Sequence, residues 1–434
     1  MKKHFGTDGI RGIPEESLTE EIVSKVCSSV EKILKPKSVA LIADTRKSSE
    51  TIANWISKGF TSEVDILNYG ILPSGSMPIL LDKLNHDMGI IISASHNPSE
   101  YNGIKLIDKN GSKLSDEVEV LIEETMNAVE LPVECSSIKD SHLGYENYRE
   151  FLHSINNIDF SQFDLVIDSA NGAAYKIIED IVPKINSSVA YIANTPNGEN
   201  INENSGATDT RNLIGVMKNG QLGISFDGDA DRLIMIDENK NVANGDIIIA
   251  LLASYLSETN KLVNESVVST VMSNYGFKLA MKVNKFNLIE TPVGDKYVAE
   301  AMKKHKAVLG GEQSGHIIFT DYLPVGDGLV TFLLVLKALN YFNTTLANFR
   351  EENIQEYPQK LINIELEDTL NKEELEFINQ IAFELSNKKD LDGRYLIRNS
   401  GTEPLLRVLV EAENNEEMES FLEELLNKIN GYLN

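Results

Sequence analysis

The stretch GIIISASHNPSEYNGIKL, residues 89–106, decides how the chain is organised. A short run of bulky apolar residues leads into small and polar ones, as expected of a strand buried on both faces. Pro98 disfavours helical geometry at Asn97, so Ser95 and His96 are predicted to lie on a loop just beyond that strand. Ligands of open α/β sheets bind at this carboxyl end of the strands. The stretch therefore predicts an α/β fold with a polar loop at the ligand-binding edge. Taken alone, the loop has a second interpretation, a serine that caps a helix beside a structural histidine.

Short apolar segments of the same kind recur on both sides of this stretch. They alternate with helical segments, which favours βαβ units. The predicted strands form three series, residues 38–44, 63–69 and 88–94, then 163–172, 188–194 and 222–228, then 266–274, 286–292 and 307–315. The last part of the chain differs, with predicted strands at 360–368 and 405–413 and amphipathic helices at 372–388 and 415–430.

The predicted fold is α/β, with three tandem α/β mixed-sheet domains plus a smaller C-terminal α+β domain. A chain of 434 residues is too long for one ordinary core, which agrees with several domains. The predicted domain limits are 1–155, 156–241, 242–357 and 358–434.

Charge and composition exclude several classes of function. The net charge of −26, from 66 acidic and 40 basic residues, would repel nucleic-acid phosphates. No apolar run approaches the roughly 20 residues that span a bilayer, and the amino terminus lacks the pattern of a signal peptide. Cys27 and Cys135 form neither a disulfide framework nor a metal cluster. We expect a cytoplasmic protein without nucleic-acid or membrane partners, and any anionic ligand must bind where basic residues are gathered locally.

The segment SFDGDADRLIMIDE, residues 225–238, predicts a metal site. Asp227, Asp229 and Asp231 alternate, so in a locally extended chain their carboxylates can converge on one hard divalent cation, with magnesium the first choice. A calcium loop of the EF-hand type is the alternative. That loop requires glycine at its sixth position, where this chain has Arg232, and its flanks must be helical, whereas these flanks favour strands.

Two other loops offer ligands for a sugar and for a phosphate. VLGGEQSGHI, residues 308–317, carries polar side chains suited to sugar hydroxyls or an amine, although glycine-rich turns are common. YLIRNSGTEPLLRVLVE, residues 395–411, gathers guanidinium, hydroxyl and amide donors for a phosphate, namely Arg398, Ser400, Gly401, Thr402 and Arg407. Near the start, FGTDGIRG places Arg11 between glycines, either as a second phosphate ligand or in an ordinary turn.

Electrostatics connects Ser95 to the aspartates. A phosphorylated serine carries about −1.5 to −2 charges, and unit charges 4 Å apart interact by about 4 kcal/mol at an effective dielectric of 20. Three carboxylates beside such a group therefore require a divalent cation between them.

Together, SASHNP, DGDADR, GEQSGH and RNSGTEPLLR resemble the four motifs of the α-D-phosphohexomutase superfamily, in that order and across essentially the whole chain. FGTDGIRG, PNGENIN (196–202), TVMSN (270–274) and VGDKYV (293–298) are similar to the branch that acts on glucosamine phosphates. Ala230 departs from this branch, which usually has glycine there. The resemblance implies an active site in the central cleft between the domains.

The resemblance also implies a role for each motif. Ser95 is implied to be a phosphoserine, whose phosphoryl oxygen would join Asp227, Asp229 and Asp231 in holding one Mg²⁺ per chain. The implied general acid/base is Lys105, with His96 nearby, and the implied groups that steady the transferring phosphoryl group are Arg11 and Arg232. Glu312 and Ser314 would bind sugar hydroxyls with help from His316. The implied clamp for the other phosphate is Arg398, Ser400, Gly401, Thr402 and Arg407.

The implied activity is an isomerase reaction of amino-sugar metabolism that supplies a peptidoglycan precursor. It would interconvert glucosamine 6-phosphate and glucosamine 1-phosphate through a phosphoserine enzyme and glucosamine 1,6-bisphosphate. The expected partner is a small-molecule hexosamine phosphate, and a homodimer is one expected assembly. The alternatives are phosphomannomutase or phosphoglucomutase activity of the same superfamily, a metal-dependent sugar phosphatase, or a catalytically inactive sugar-phosphate sensor. The sensor is disfavoured because neither Ser95 nor any of the aspartates is missing.

Overall fold

The computed structural model describes residues 3–6, 8–182, 188–400 and 404–433. Gly401 and Thr402 of the predicted phosphate clamp lie outside these ranges. The chain divides into two compact units, residues 1–272 with 286–352, and residues 273–285 with 353–434. The first unit contains three mixed sheets and the second contains one antiparallel sheet. The fold class predicted from the sequence is confirmed.

The first sheet has the strand order β1-β5-β4-β2-β3-β6. Its elements are β1 Ile10–Gly12, α1 Glu20–Leu34, β2 Ser38–Ala43, α2 Ser49–Gly59, β3 Asp65–Ile71, α3 Met77–Leu84, β4 Met88–Ile92, β5 Asn102–Ile107, α4 Asp116–Met126 and β6 Ile138–Asp140. Strand β2 pairs in parallel with β3 and β4, whereas β5 runs antiparallel to both β4 and β1.

All five residues of β4 are buried, as its continuous apolar sequence predicts. The Ser95 loop then returns into the antiparallel strand β5, so it connects two adjacent strands and not a strand and a helix. On one side of the sheet, α1 buries Val23, Val26 and Val30 at helical spacing, and its first turn is capped by Thr19. The Ser95 loop therefore extends from a closely packed edge.

The second sheet has the order β11-β10-β9-β7-β8. Its elements are α5 Leu143–Ile155, β7 Asp164–Asp168, α6 Ile177–Ile181, β8 Ser188–Ile192, α7 Arg211–Val216, β9 Leu222–Phe226, β10 Leu233–Ile236 and β11 Val242–Ala243. The loop that carries Asp227, Asp229 and Asp231, called the aspartate loop, joins β9 to the antiparallel β10. The expectation of a locally extended chain there is wrong, because the loop turns tightly and Ala230 adopts the left-handed conformation with φ +57°. A hairpin connection this short has to reverse the chain direction.

The third sheet has the order β13-β12-β14-β15. Its segment contains α8 Gly245–Glu258, β12 Ser266–Thr270, α9 Tyr275–Val283, β13 Asn287–Thr291, α10 Asp295–His305, β14 Leu309–Gly311, β15 Ile317–Phe319, α11 Gly328–Phe342 and α12 Leu346–Asn353. Helices α8 and α11 are largely apolar and mostly buried. Among the described residues, no single helix has the length and apolar character to span a membrane; only α11 and α12 together, bent by 75°, meet that criterion.

The second unit is built on the antiparallel sheet β16-β18-β17. Its elements are β16 Gln359–Glu365, α13 Lys372–Lys389, β17 Gly393–Asn399, β18 Leu405–Ala412 and α14 Asn415–Leu433, together with α9. Asn371 and Glu374 form a capping box at the start of α13, which buries Ile378 and Leu385 against the sheet. The side chain of Asn274, at the start of α9, donates to the Tyr357 carbonyl at 2.8 Å and accepts from the Tyr357 amide at 3.0 Å. These bonds attach α9 to this unit.

The buried imidazole of His86 predicts an acid-sensitive fold. Its two ring nitrogens lie 2.5 Å from Ser38 Oγ and 2.6 Å from the Tyr69 hydroxyl. Burial lowers the pKa of His86, against the weaker effect of Asp87. The folded protein therefore keeps this ring neutral while the unfolded chain takes up a proton below about pH 6.5, and stability falls as the pH falls through that range. We expect His86 to contribute a slope of up to about 1.4 kcal/mol per pH unit to the free energy of unfolding.

Urea unfolding of the wild type and of His86→Gln between pH 7.5 and 5 measures this slope. The variant is expected to be less stable at pH 7.5 but to lose less stability on acidification. Equal slopes in the two proteins would contradict the assignment, and exposed histidines, which are present in both, cancel in the comparison.

Candidate active site

The Ser95 loop is held in a strained conformation by a buried arginine. Ser95 has φ +51°, a left-handed geometry that costs a non-glycine residue about 1–2 kcal/mol. The guanidinium of Arg46 donates to the carbonyls of Ser95 at 2.9 Å and Asn97 at 2.8 Å, and also to those of Pro98 and Tyr101. Strain maintained in this way at a loop is typical of functional sites.

A second layer orients both Arg46 and the serine. Asp44 accepts from Arg46 Nε at 2.9 Å and from Ser93 Oγ at 2.6 Å. Ser93 Oγ in turn accepts from the Ser95 amide at 2.8 Å. Asp44, Arg46 and Ser93 are all buried. Their hydrogen bonds therefore hold the backbone of Ser95 in place.

The Ser95 hydroxyl points at the aspartate loop. Its Oγ donates to Asp227 Oδ2 at 2.5 Å and lies 3.4 Å from His96 Nδ1. Burial, then the positive charges of Arg232 and Arg11, lowers the pKa of His96 to about 4, so its ring is uncharged at neutral pH. The structure thus brings together Ser95, His96 and the first aspartate.

Three buried carboxylates form one cluster beside the serine. Oxygens of Asp227, Asp229 and Asp231 all lie within 4.8 Å of one another. Burial, then the negative charges of Asp231 and Asp229, raises the pKa of Asp227 to about 8, because both disfavour the charged form of this carboxyl group. Oδ1 of Asp229 is buried and lacks a hydrogen-bond partner within the described residues. A hard divalent cation supplies both the missing charge and the missing partner, so these residues fit a metal site.

Lys105 connects this cluster to the amino-terminal loop. Its ammonium donates to Asp229 at 2.7 Å and to Asp231 at 3.1 Å, and it also pairs with Asp8 at 2.9 Å. Burial alone would lower its pKa, but the three carboxylates hold the pKa of Lys105 well above its usual value. Lys105 is therefore a buried ammonium group that contacts the same aspartate cluster as the Ser95 hydroxyl.

The loop of residues 308–317, predicted from the sequence to bind a sugar and called the sugar loop, lines a cavity of about 340 Å³ in the first unit, which we call the sugar cavity. Glu312, Ser314 and His316 contribute to its wall, as does Arg232. At the start of α8, the Gly245 amide donates to the Gln313 carbonyl at 2.9 Å, and a Cβ at this glycine would lie 2.0 Å from the Glu312 carbonyl oxygen. Glycine therefore permits the close approach that positions this loop.

His316 lies between two carboxylates. Its Nδ1 is 3.5 Å from Asp231 and its Nε2 is 3.4 Å from Asp295. Burial alone would lower its pKa, but Asp231 and Asp295 raise the pKa of His316 to about 9. Glu312 is an acid, so burial raises its pKa. Its carboxylate accepts a hydrogen bond from the Gly294 amide at 3.1 Å.

Two arginines flank the aspartate loop. Arg232 Nε lies 3.9 Å from both Asp227 and Asp231, too far for a hydrogen bond. Arg11 donates to Asn97 at 2.8 Å and pairs with Asp8. Both guanidiniums keep donors free for an anion, since the Nε atoms of Arg11 and Arg232 have no hydrogen-bond partner in the described parts of the chain.

The second unit places two arginines side by side. Arg398 of β17 and Arg407 of β18 are directly opposite cross-strand partners. Arg407 donates to Ser400 Oγ at 3.3 Å, and its buried Nε lacks a partner among the described residues. Burial, then the neighbouring Arg407, lowers the pKa of Arg398. Like charges directly opposite in a sheet are unfavourable, so this pair indicates an anion site.

Neutralising one of these arginines tests the phosphate clamp. We expect Arg407→Met to raise KM for a sugar phosphate by about 10-fold to 100-fold, because a charge-assisted hydrogen bond contributes about 1.5–3 kcal/mol. Steady-state kinetics with Lys360→Met, an exposed lysine of the same sheet, provides the matched control. An unchanged KM in Arg407→Met and in Arg398→Met would show that the loop is structural.

Several contacts in this region involve residues that the sequence analysis did not single out. They are Asp8, Asp44, Arg46, Ser74, Ser93, Lys113 and Asp295. Ser74 donates to Asp229 Oδ2 at 2.6 Å, and Lys113 pairs with Asp8 and, at 2.6 Å, with Asp295. Asp8 and Asp295 fall within the motifs FGTDGIRG and VGDKYV quoted above. Those motifs indicated the protein family but not the contacts that these two carboxylates make.

Models of known protein families match four consecutive segments of this chain. Four models describe the phosphoglucomutase/phosphomannomutase alpha/beta/alpha domains I, II and III and the C-terminal domain, and they match residues 2–132, 146–241, 244–357 and 361–428. The chain therefore belongs to the phosphoglucomutase/phosphomannomutase family. The resemblance read from the sequence is confirmed.

Two relatives and one solved structure are similar to this chain over nearly its whole length. The chain is 39% identical to the phosphoglucosamine mutase of Alkaliphilus oremlandii, with both proteins covered completely. It is 40% identical to the phosphoglucosamine mutase of Thermotoga petrophila, with 98% of each covered. A crystal structure of a phosphoglucomutase/phosphomannomutase family protein from Burkholderia thailandensis superposes with a TM-score of 0.78 at 20% identity, covering 99% of this chain and 98% of that one, and shows the shared fold.

Proposed function

We propose that this chain is a phosphoglucosamine mutase, which interconverts glucosamine 6-phosphate and glucosamine 1-phosphate through a phosphorylated Ser95 and glucosamine 1,6-bisphosphate. The observation that carries the proposal is the strained, buried serine whose Oγ lies 2.5 Å from one of three clustered carboxylates. The names of its full-length relatives support the choice of reaction.

The reaction transfers one phosphoryl group in each direction. The bond between Ser95 Oγ and phosphorus breaks while a sugar hydroxyl oxygen bonds to phosphorus, and the intermediate then returns its other phosphoryl group to the serine. In the first transfer the sugar hydroxyl loses a proton and the serine oxygen gains one. In the return transfer the bond between phosphorus and the other sugar oxygen breaks, the serine hydroxyl loses its proton and that sugar oxygen gains one. Lys105, beside the aspartates, and His96, 3.4 Å from Ser95 Oγ, are the groups proposed to move these protons.

The aspartate cluster is proposed to hold magnesium. When bound, that ion would neutralise charge on the transferring phosphoryl oxygens. The protein's own part is to fix the ligands: Ser74 binds Asp229, Asp227 binds the serine, and Arg232 and Arg11 carry free guanidinium donors for the phosphoryl group. In the second unit, Arg398, Ser400 and Arg407 are proposed to bind the phosphate that is not being transferred.

One carboxylate of the sugar cavity supports the choice of an amino sugar. Asp8, Asp231 and Asp295 line the cavity but each already pairs with at least two basic groups, whereas Glu312, which also lines it, accepts from the Gly294 amide. The ammonium of glucosamine phosphate adds positive charge to such a cavity, whereas a neutral hexose offers only hydroxyls. Glu312, beside Ser314 on the sugar loop, is the carboxylate proposed to face the sugar.

Phosphorus NMR tests the proposal directly. The purified protein is mixed with magnesium, glucosamine 6-phosphate and a trace of hexose 1,6-bisphosphate. A growing anomeric 1-phosphate signal without inorganic phosphate is expected. Release of inorganic phosphate alone would instead identify a phosphatase, and turnover only of glucose or mannose phosphates would reassign the chain to a sibling activity.

A further inference from the structure

Six side chains form a closed ring of alternating charge at the edge of the sugar cavity. Three carboxylates and three basic groups succeed one another in the order Asp231, Lys105, Asp8, Lys113, Asp295 and His316, returning to Asp231. The successive separations are 3.1 Å and 2.9 Å, then a close contact between Asp8 and Lys113, then 2.6 Å, 3.4 Å and 3.5 Å. We call this set the charge ring.

The ring joins six separate elements and loops of the first unit. Lys105 lies on β5 and Lys113 on the loop after it, Asp8 on the amino-terminal loop, and Asp295 at the first turn of α10. The remaining two members come from the aspartate loop and the sugar loop. Each carboxylate thus binds at least two basic groups, and each basic group binds at least two carboxylates.

Lys113 is the member whose role is least obvious from the proposed chemistry. It contacts none of the three aspartates of the metal cluster and does not line the sugar cavity. Its ammonium, with 15% of the side chain exposed, bridges Asp8 and Asp295. Asp8 also pairs with Lys105 at 2.9 Å, and Asp295 lies 3.4 Å from His316 Nε2.

We propose that Lys113 is a positioning residue, which fixes Asp8 and Asp295 and through them places Lys105 and His316 for phosphoryl transfer. This role rests on the proposed mutase function. Without the Lys113 ammonium, Asp8 and Asp295 are two half-buried carboxylates with one basic partner fewer, and each is free to shift or to bind other groups. A displacement of about 1 Å at a reacting group costs up to about 100-fold in rate.

The experiment compares Lys113→Met, Lys113→Arg and Lys109→Met, the last being an exposed lysine of the same loop. Lys113→Met is expected to lower kcat by about 10-fold to 100-fold with KM for the sugar phosphate within about twofold, because substrate ligands are intact. Lys113→Arg is expected to recover most of that loss, since a guanidinium can also bridge two carboxylates. Lys109→Met should match the wild type.

Two results would overturn the proposal. One is a kcat for Lys113→Met within about twofold of Lys109→Met. The other is an equal loss of kcat in the Lys113→Met and Lys113→Arg variants, accompanied by equally lowered melting temperatures, which would make Lys113 purely structural.

Crystal structures of the wild type and Lys113→Met distinguish failure of this proposal from failure of the proposed function. If no hexose phosphate is turned over, the ring is still tested by whether Lys105 Nζ leaves Asp8 beyond about 3.5 Å in the variant alone.

Discussion

Ser95→Ala is expected to lower turnover of glucosamine 6-phosphate by about 10⁴-fold or more, because it removes the atom that accepts and returns the phosphoryl group. The loss should appear in kcat, since Ser95 is proposed to react with the substrate and not to bind it. The variant should keep its fold, because the loop is held by Arg46 through backbone carbonyls that alanine retains. Alanine must still adopt φ +51°, as serine does.

Ser99→Ala provides the matched control, since this serine lies on the same loop beyond Pro98. Thermal unfolding and steady-state kinetics of both variants separate loss of chemistry from loss of fold. A Ser95→Ala protein with more than about a tenth of wild-type kcat would contradict the relay role.

Removal of divalent cations is the second change with a large expected effect. Treatment with a chelator followed by its removal should lower kcat by about 10³-fold, because charge stabilisation by a bound cation is worth several kcal/mol. Added Mg²⁺ should restore activity. The physical reason lies in the chain: three buried carboxylates share one place, and the pKa of Asp227 is raised to about 8 by burial and its neighbours.

Asp229→Asn should weaken this restoration and should also weaken Mg²⁺ binding measured by calorimetry. Asp209→Asn, a surface carboxylate that pairs with Arg211, is the control and should behave as the wild type. Full activity in the presence of chelator would rule out a required metal, and equal Mg²⁺ affinity in the two variants would rule out Asp229 as a ligand.

Local patterns predicted the elements and the motifs that depend only on neighbouring residues. The uninterrupted apolar run of β4 identified a strand buried on both faces, and the structure buries all five of its residues. The aspartate cluster was predictable because its members are separated by single residues on one hairpin. The turn there was not, since the pattern of alternating aspartates suggested an extended chain while Ala230 adopts φ +57°.

Contacts between distant segments could not be predicted from local sequence. Lys113 meets Asp8 and Asp295 across 105 and 182 residues of chain, and nothing in the spacing of charged residues specifies those partners. Arg46 likewise shows no local sign that its guanidinium supports the Ser95 loop, because its four carbonyl acceptors lie 49 to 55 residues further along the chain and reach it only when β2 pairs with β4. Side chains that hold the reacting groups in place were missed for this reason.

The proposed domain limits and the roles of individual residues stay predictions, and one of them is central: Ser95 carries the phosphoryl group between the two sugar positions. Incubation with glucosamine 1,6-bisphosphate bearing labelled phosphate, followed by peptide mapping and a chase with unlabelled glucosamine 6-phosphate, tests this most directly. The label is expected to appear on the peptide containing Ser95 and then to move into sugar phosphate. Label on another residue, or label that leaves the protein only as inorganic phosphate, would disprove the relay role of Ser95.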